Sequence, residues 1–258
     1  MHGLLLSTVQ ALILGMMPIV VLLPFIVAME HMMPRTRYRL ADRFPGVLFI
    51  LTLPLVTILV AVPLDAVWRA YGPRPIVDLS AAVSAVVLFP LLLLVRDFLN
   101  YWQHRTDHRI FWPIHSVHHA QTELHAANGY GHPLQFVSEY LFIAIPLRLV
   151  GVNNVELPLA LVGTVAMQAM IIHSPLRVHL GPLRRLIVDS RFHRIHHSLE
   201  ERHFDRNFGT IFSIWDQLFG TAYFPAEDEW PMTGVAGLSP PRTFSQFLTH
   251  PIRMLMHG

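Results

Sequence analysis

From Leu4 to Met29 the chain carries no charged residue. A run of that length is what a helix needs to cross a hydrocarbon core roughly 30 Å thick. Pro18 and Pro24 fall inside it, which membrane helices tolerate. A cleaved leader would want a basic start and a small-residue cleavage site, whereas this start offers only His2, so the run reads as a retained first spanning helix. A second span, Val47 to Val62, follows Arg35, Arg37, Arg39 and Arg43, and a third, Leu79 to Val95, precedes Arg96 and Asp97. Leu134 to Val150 and Leu157 to Ile172 flank a turn with Gly151, Asn153 and Asn154, and read as a helical hairpin, re-entrant or spanning. The chain is 53% hydrophobic and 14% charged, with a mean hydropathy of +0.44, too apolar for an ordinary water-soluble domain of 258 residues. The expectation is an all-α integral-membrane protein forming a single domain, 1–258. Its N-terminal helices occupy 1–96, a histidine-rich region 97–224 with the hairpin at 134–172, and a tail 225–258.

Loop arginines set the orientation, since the chain has no lysine. By the positive-inside bias the first loop is cytoplasmic. Arg96, Arg105 and Arg109, then Arg177, Arg184, Arg185, Arg191 and Arg194, fall on the same side. The histidine-rich segments would therefore face the cytoplasm. A net charge of +2 spread over apolar sequence makes no basic stripe, so nucleic acid is not an expected partner. The absence of cysteine excludes disulfides, thiolate nucleophiles, iron–sulfur clusters and cysteine-ligated zinc or haem.

Histidine, Asp and Glu remain as metal ligands, and histidine is in excess: of 17, seven lie between His104 and His132 and four between His193 and His203. In HRTDH, His104 and His108 fall one above the other on a helix, and HSVHH is expected to present His115, His118 and His119 on one face. HRIHH repeats that spacing with His193, His196 and His197. His173 and His179 lie where they can complete the second group, giving five and five. Imidazole suits iron, zinc and copper. A histidine-only shell calls for acids that orient the ring N–H groups, and Asp97, Tyr101, Asp107, Asp189 and Asp205 are the side chains placed to do so. His2, His31, His250 and His257 are assigned no role, and His125 and His203 are read as structural. Glu200 and His203 form a lone Glu-x-x-His, and a carboxylate-bridged helical bundle would need two.

With DFLNYWQHRTDH, WPIHSVHHA, the His-Pro step at His132, IIHS at His173, FHRIHHS and the closing NFGTIFSIWDQLFGT, the sequence resembles the fatty acid hydroxylase and sterol desaturase superfamily. The likeness runs from about Asp97 to Phe224. It implies about four spanning helices under a cytoplasmic helical cap, and a non-haem di-iron centre that uses O2 to hydroxylate or desaturate a C–H bond of a lipid or sterol-like substrate. By matching positions it implies His104, His108, His115, His118, His119, His173, His193, His196 and His197 as ligands of two Fe ions, with His132 and His179 as further candidates. Zinc is the metal that such sites would pick up on purification. The sequence departs from the family pattern at Ala120, where serine is usual, and in GYGHP, which lacks the arginine frequent before the His-Pro step.

No Gly-rich dinucleotide fingerprint occurs, so electrons would come from a separate ferredoxin, cytochrome or reductase. Arg184, Arg185 and Arg191 form a candidate docking patch whose plainer role is a positive-inside flank. The rival readings are a divalent-metal transporter, a membrane haem protein and a non-catalytic metal-binding protein. A transporter would place its ligands near the bilayer midplane, whereas these boxes lie beyond the expected helix ends.

Overall fold

The computed structural model describes residues 2–52, 59–60, 62–79, 83–151, 156–176 and 178–257. The middle of the expected second span (53–58 and 61), the start of the third (80–82), Asn153, Asn154 and Arg177 lie outside these. Among the described residues the chain is helical, with isolated bridges but no strand.

The first apolar run forms α1 (His2–Met32), which continues through Pro18 and Pro24. Short helices α2 (Phe44–Ile50) and α3 (Val62–Tyr71) follow. The long helix α4 (Ala85–Arg109) carries on well past Arg96 and Asp97, where sequence reading ended the third span. The reason is the direction of its polar side chains: Asp97, Tyr101, Gln103, His104 and Asp107 are buried, while Val86, Val87, Leu91 and Val95 are exposed. Its C-terminal half buries polar side chains where its N-terminal half buries Leu88 and Leu92, so the charges do not end it.

After α5 (Trp112–His119), the hairpin is built from α6 (Gln135–Glu139), a π-helical turn (Tyr140–Ala144) and α7 (Ile145–Leu149), and it returns through α8 (Glu156–His173). Gly151 turns the chain at φ 63°, and a Cβ there would lie 2.1 Å from the Val77 carbonyl oxygen. Three short helices complete the chain: α9 (Ser190–His196), α10 (Ile214–Leu218) and α11 (Phe244–His257).

α8 is central. Its Met170 packs with Ile26 of α1 and Ala126, and Leu161 packs with Leu88 and Leu92 of α4. On the other side of the histidines, Phe247 of α11 stacks on Phe49 of α2 at 4.5 Å, with Val117 and Tyr130 in the same cluster. α1 is tied in by a buried ion pair between Glu30 and Arg43. Glu30 Oε1 also accepts from the Ser174 hydroxyl at 2.6 Å and the Ala126 N–H at 2.8 Å.

By length and composition, α4 is long and apolar enough to cross a membrane; Ile19–Met32 and Ala160–His173 are apolar but shorter.

Candidate metal centre

Four helices deliver the histidines. α4 supplies His104 and His108, α5 supplies His115, His118 and His119, α8 ends on His173, and α9 supplies His193 and His196, with His197 at its C-terminal cap. α9 starts where it does because Asp189 caps it, accepting from the Phe192 N–H at 2.9 Å.

Ring nitrogens converge in two groups. His104, His108, His115, His119 and His196 form one, and His118, His173, His193 and His197 the other; within each, one ligand atom per residue lies within 4.8 Å of all the rest. The grouping corrects the expectation that each His-x-x-His-His box presents a single face. At about 100° per residue, positions i and i+4 are about 40° apart, whereas i+3 lies about 100° from i+4. In α5, His115 and His119 therefore join the first group and His118 the second. In α9, His193 and His197 join the second and His196 the first. Each box bridges both groups, and the rings of His119 and His197 stack at 4.4 Å across the junction.

The groups hold five and four histidines, rather than five each. His179 is exposed, and its Nδ1 accepts from the Gly181 N–H at 2.9 Å. His132 lies apart from both groups, with Nδ1 accepting from the Leu134 N–H at 3.1 Å and Nε2 facing the Leu248 carbonyl at 3.3 Å. His203 is held by Ser198 and Glu229.

Four of the nine rings are oriented by backbone carbonyls. Nδ1 of His104 donates to Phe208 O at 2.9 Å, of His118 to Tyr130 O at 3.2 Å, of His173 to Ala169 O at 2.6 Å and of His196 to Arg206 O at 2.9 Å. A carbonyl only accepts, so each Nδ1 carries the proton and each Nε2 is left as a bare lone pair. His118 Nε2 and His173 Nε2 then face one another at 3.3 Å with no proton between them. Burial, reinforced by neighbouring imidazoles, holds His115, His118, His119, His193, His196 and His197 well below the ordinary histidine pKa. Neutral rings aiming lone pairs at a common point are what a divalent metal requires, and both groups fit one.

Of the side chains expected to orient the imidazoles, only Asp205 reaches a ring, with Oδ1 3.5 Å from His108 Nδ1. Asp97 instead accepts from the Ile211 and Phe212 N–H groups and from Trp215 Nε1, which fastens α4 to α10. Tyr101 hydrogen-bonds Thr221 at 2.9 Å, Asp107 accepts from Gln103 at 2.7 Å, and Asp189 is the α9 cap.

Sequence reading missed the residues that hold the carbonyls. Asp205 and Asn207 adopt φ of 55° and 59°, a region Asp and Asn tolerate better than most. Asn207 fixes that bend through Phe192 O and both backbone groups of Tyr223. Asp216 accepts from the Phe208 and Gly209 N–H groups, both at 2.8 Å, and from the Thr221 hydroxyl at 2.7 Å. The only sequence signal was NFGTIFSIWDQLFGT itself, whose first Asn, Asp and last Thr are these residues. Glu30 was missed too; a lone acid ending an apolar run was its signal.

A cavity of about 270 Å³ opens beside the groups. His104, His115, His118, His173 and His193 form its histidine wall, and His132, which belongs to neither group, also lines it. Val165, Ala166, Ala169 and Met170 of α8 and Phe136 of α6 supply apolar wall. Gly129 allows the approach of His173, because a Cβ there would lie 3.3 Å from its Nδ1.

The expected arginine patch is not a surface of three. Arg191 is buried against the Ala226 carbonyl, while Arg184 and Arg185 lie over Phe224.

Fold and site define a helical protein with two adjoining histidine groups, each able to hold a metal ion. The fatty acid hydroxylase family model matches residues 89–221, half of the chain, and the chain belongs to that family. It is 31% identical over 162 residues to alkylglycerol monooxygenase of Homo sapiens, covering 60% of this chain and 32% of that protein. Ornithine lipid hydroxylase OlsE of Rhizobium tropici is 31% identical over 150 residues, covering 56% and 44%. Methylsterol monooxygenase 1 of Gallus gallus is 33% identical over 134 residues, covering 49% and 43%. The chain thus spans less than half the length of these relatives. No solved structure matches it.

Proposed function

We propose that the protein is a membrane-embedded di-iron, O2-dependent oxidoreductase that hydroxylates or desaturates a C–H bond of a lipid or sterol-like substrate. The observation that carries this reading is the pair of neutral five- and four-histidine groups sharing the wall of a cavity with an apolar back. His104, His108, His115, His119 and His196 would hold one iron and His118, His173, His193 and His197 the other. When bound, the irons supply the redox chemistry that reduces O2 and oxidises the C–H bond.

The chain's own residues set the conditions. The carbonyls of Phe208, Arg206, Tyr130 and Ala169 hold the protons of four rings on Nδ1, which turns the Nε2 lone pairs of those rings toward the metal positions. The apolar face of α8 excludes water and lays an alkyl or ring surface against His118, His173 and His193. Position of the substrate carbon relative to these rings selects between alcohol and alkene.

The membrane reading rests on the exposed apolar side chains of α1 and α4 and on the length of α4; it takes about four spans, with the histidine groups in a cap at the cytoplasmic face. Electrons would come from a separate ferredoxin, cytochrome or reductase. The names of the relatives, which refer to lipid and sterol oxidation, agree with this substrate class.

Anaerobic Fe(II) loading of detergent-purified protein, with metal counting and Mössbauer spectra before and after O2, tests the proposal. Two irons per chain that become a coupled diferric pair are expected. A single iron, or a site indifferent to O2, would overturn it in favour of transport or metal storage.

A further inference from the structure

The cavity is not apolar throughout. Its α4 wall carries Arg96, Asn100 and His104, recurring at four-residue steps along one face, with Gln103 beside them; Gln135 and Glu139 of α6 line it as well. About 12 Å of helix axis separates Arg96 from His104, so the guanidinium stands two turns deeper along α4 than the first ring of the five-histidine group.

By position in the sequence, Arg96 looked like a loop flank. In the structure it faces this cavity, and its Nη1 is buried with no hydrogen-bond partner. Two of its neighbours on α4 are committed elsewhere, while Gln135 Oε1 across the cavity is likewise buried without a partner. Asp97 is saturated by two backbone N–H groups and the Trp215 indole, and Asn100 donates to Thr210 at 2.9 Å. Glu139 lines the same cavity, so a carboxyl group stands in the pocket that Arg96 faces. A buried guanidinium N–H without an acceptor is costly, and it persists where a ligand supplies one.

We propose that Arg96 is a substrate-positioning residue whose Nη1 donates to an oxygen on the polar end of an amphiphilic substrate, so that the cavity selects an oxygen-bearing lipid over a plain hydrocarbon. This rests on the reading of the cavity as the substrate site. It narrows the substrate class to amphiphiles with an accepting oxygen: a carboxylate, phosphate, ester or hydroxyl shares that chemistry.

The test is equilibrium binding of chain-matched hexadecanoate, hexadecanol and hexadecane to detergent-purified, zinc-loaded protein, in which no turnover intervenes. The wild type should hold at least one of the two oxygenated probes about tenfold or more tighter than hexadecane, in line with a hydrogen bond to a charged donor. Arg96→Met should lose that preference while keeping its metal content, and Arg96→Lys should restore part of it. Preference for both oxygenated probes identifies a general acceptor site; preference for hexadecanoate alone identifies an oxyanion site. Equal binding of all three probes by the wild type overturns the proposal. So does an Arg96→Met protein that keeps the wild-type preference. If Arg96→Met fails to fold, Arg96→Gln carries the same comparison, with metal content reporting the intact site. The oxygenase reading fails separately: an Arg96-dependent preference in a protein that never forms a diferric pair would sink the redox chemistry and leave this site standing.

Discussion

The five-histidine and four-histidine groups are built from the same box motif but are supported differently. The five-member group leans on a single bend, residues 205–208, which supplies two carbonyls and the Asp205 carboxylate to three of its rings. The four-member group draws its carbonyls from Tyr130 and from Ala169, one turn back within α8 itself, and Nδ1 of two of its rings, His193 and His197, has no partner, against His115 alone in the larger group. Three of its four rings line the cavity, against two of five in the other group. The larger group thus lies mostly away from the cavity, and the smaller one lies along its wall. That is the division expected of a site that must both retain metal and react.

Removing one ligand from each group should separate them most strongly. His197→Ala leaves three histidines in the smaller group, and we expect loss of one iron and no detectable turnover. His108→Ala leaves four in the other group; both irons should stay, with turnover lowered by about tenfold, no more than an outer partner would cost. Metal counting on the two variants decides this. Equal losses would mean that the groups do not differ in reserve.

The supports can be broken one group at a time. Glu30 holds the hydroxyl of Ser174, the residue after His173, and is itself ion-paired with Arg43. Glu30→Ala leaves a buried guanidinium unpaired and should destabilise the protein by about 3–5 kcal/mol, with the four-histidine group losing metal first. Asp216→Asn acts on the other group through the Phe208 carbonyl. Its metal affinity should fall about 10–100-fold, with the four-histidine group unchanged. Thermal unfolding and stepwise Fe(II) titration resolve the two, and loss from both groups in either variant would show that they behave as one unit.

These supports mark the limit of what the sequence makes legible. The nine converging histidines can be read because helical spacing and the motif fix them, and the split of adjacent pairs such as His118 and His119 follows from the turn per residue. The orienting carbonyls could not be read, because a backbone oxygen has no residue identity and its placement depends on the bend at Asp205 and Asn207. Acids near a box in sequence were the natural candidates, yet Asp97 and Asp107 point across the bundle, to α10 and to α6. Arg96 was misread for the same reason: counting charges along the chain gives their position but not their direction. The extension of α4 to Arg109 was hidden because the interior around its C-terminal half is polar, so charged residues that would end a span continue it instead.

The smallest expected effect bears on that lesson directly. Asp205 is the one expected acid that meets a ring, and its carboxyl is held below the usual range chiefly by the hydrogen bond to His108. Yet its side chain is 78% exposed, so solvent screens the charge, and the amide of Asp205→Asn retains an oxygen able to accept from His108 Nδ1. The φ of 55° is also one that Asn adopts readily. Iron affinity of the five-histidine group should therefore change by less than the roughly tenfold floor for a working outer partner, well short of Asp216→Asn, although Asp216 touches no imidazole. If Asp205→Asn instead empties the group, then a carboxylate rather than the carbonyls of Arg206 and Phe208 sets ring orientation there, and the contrast between the two groups would be one of charge rather than of backbone geometry.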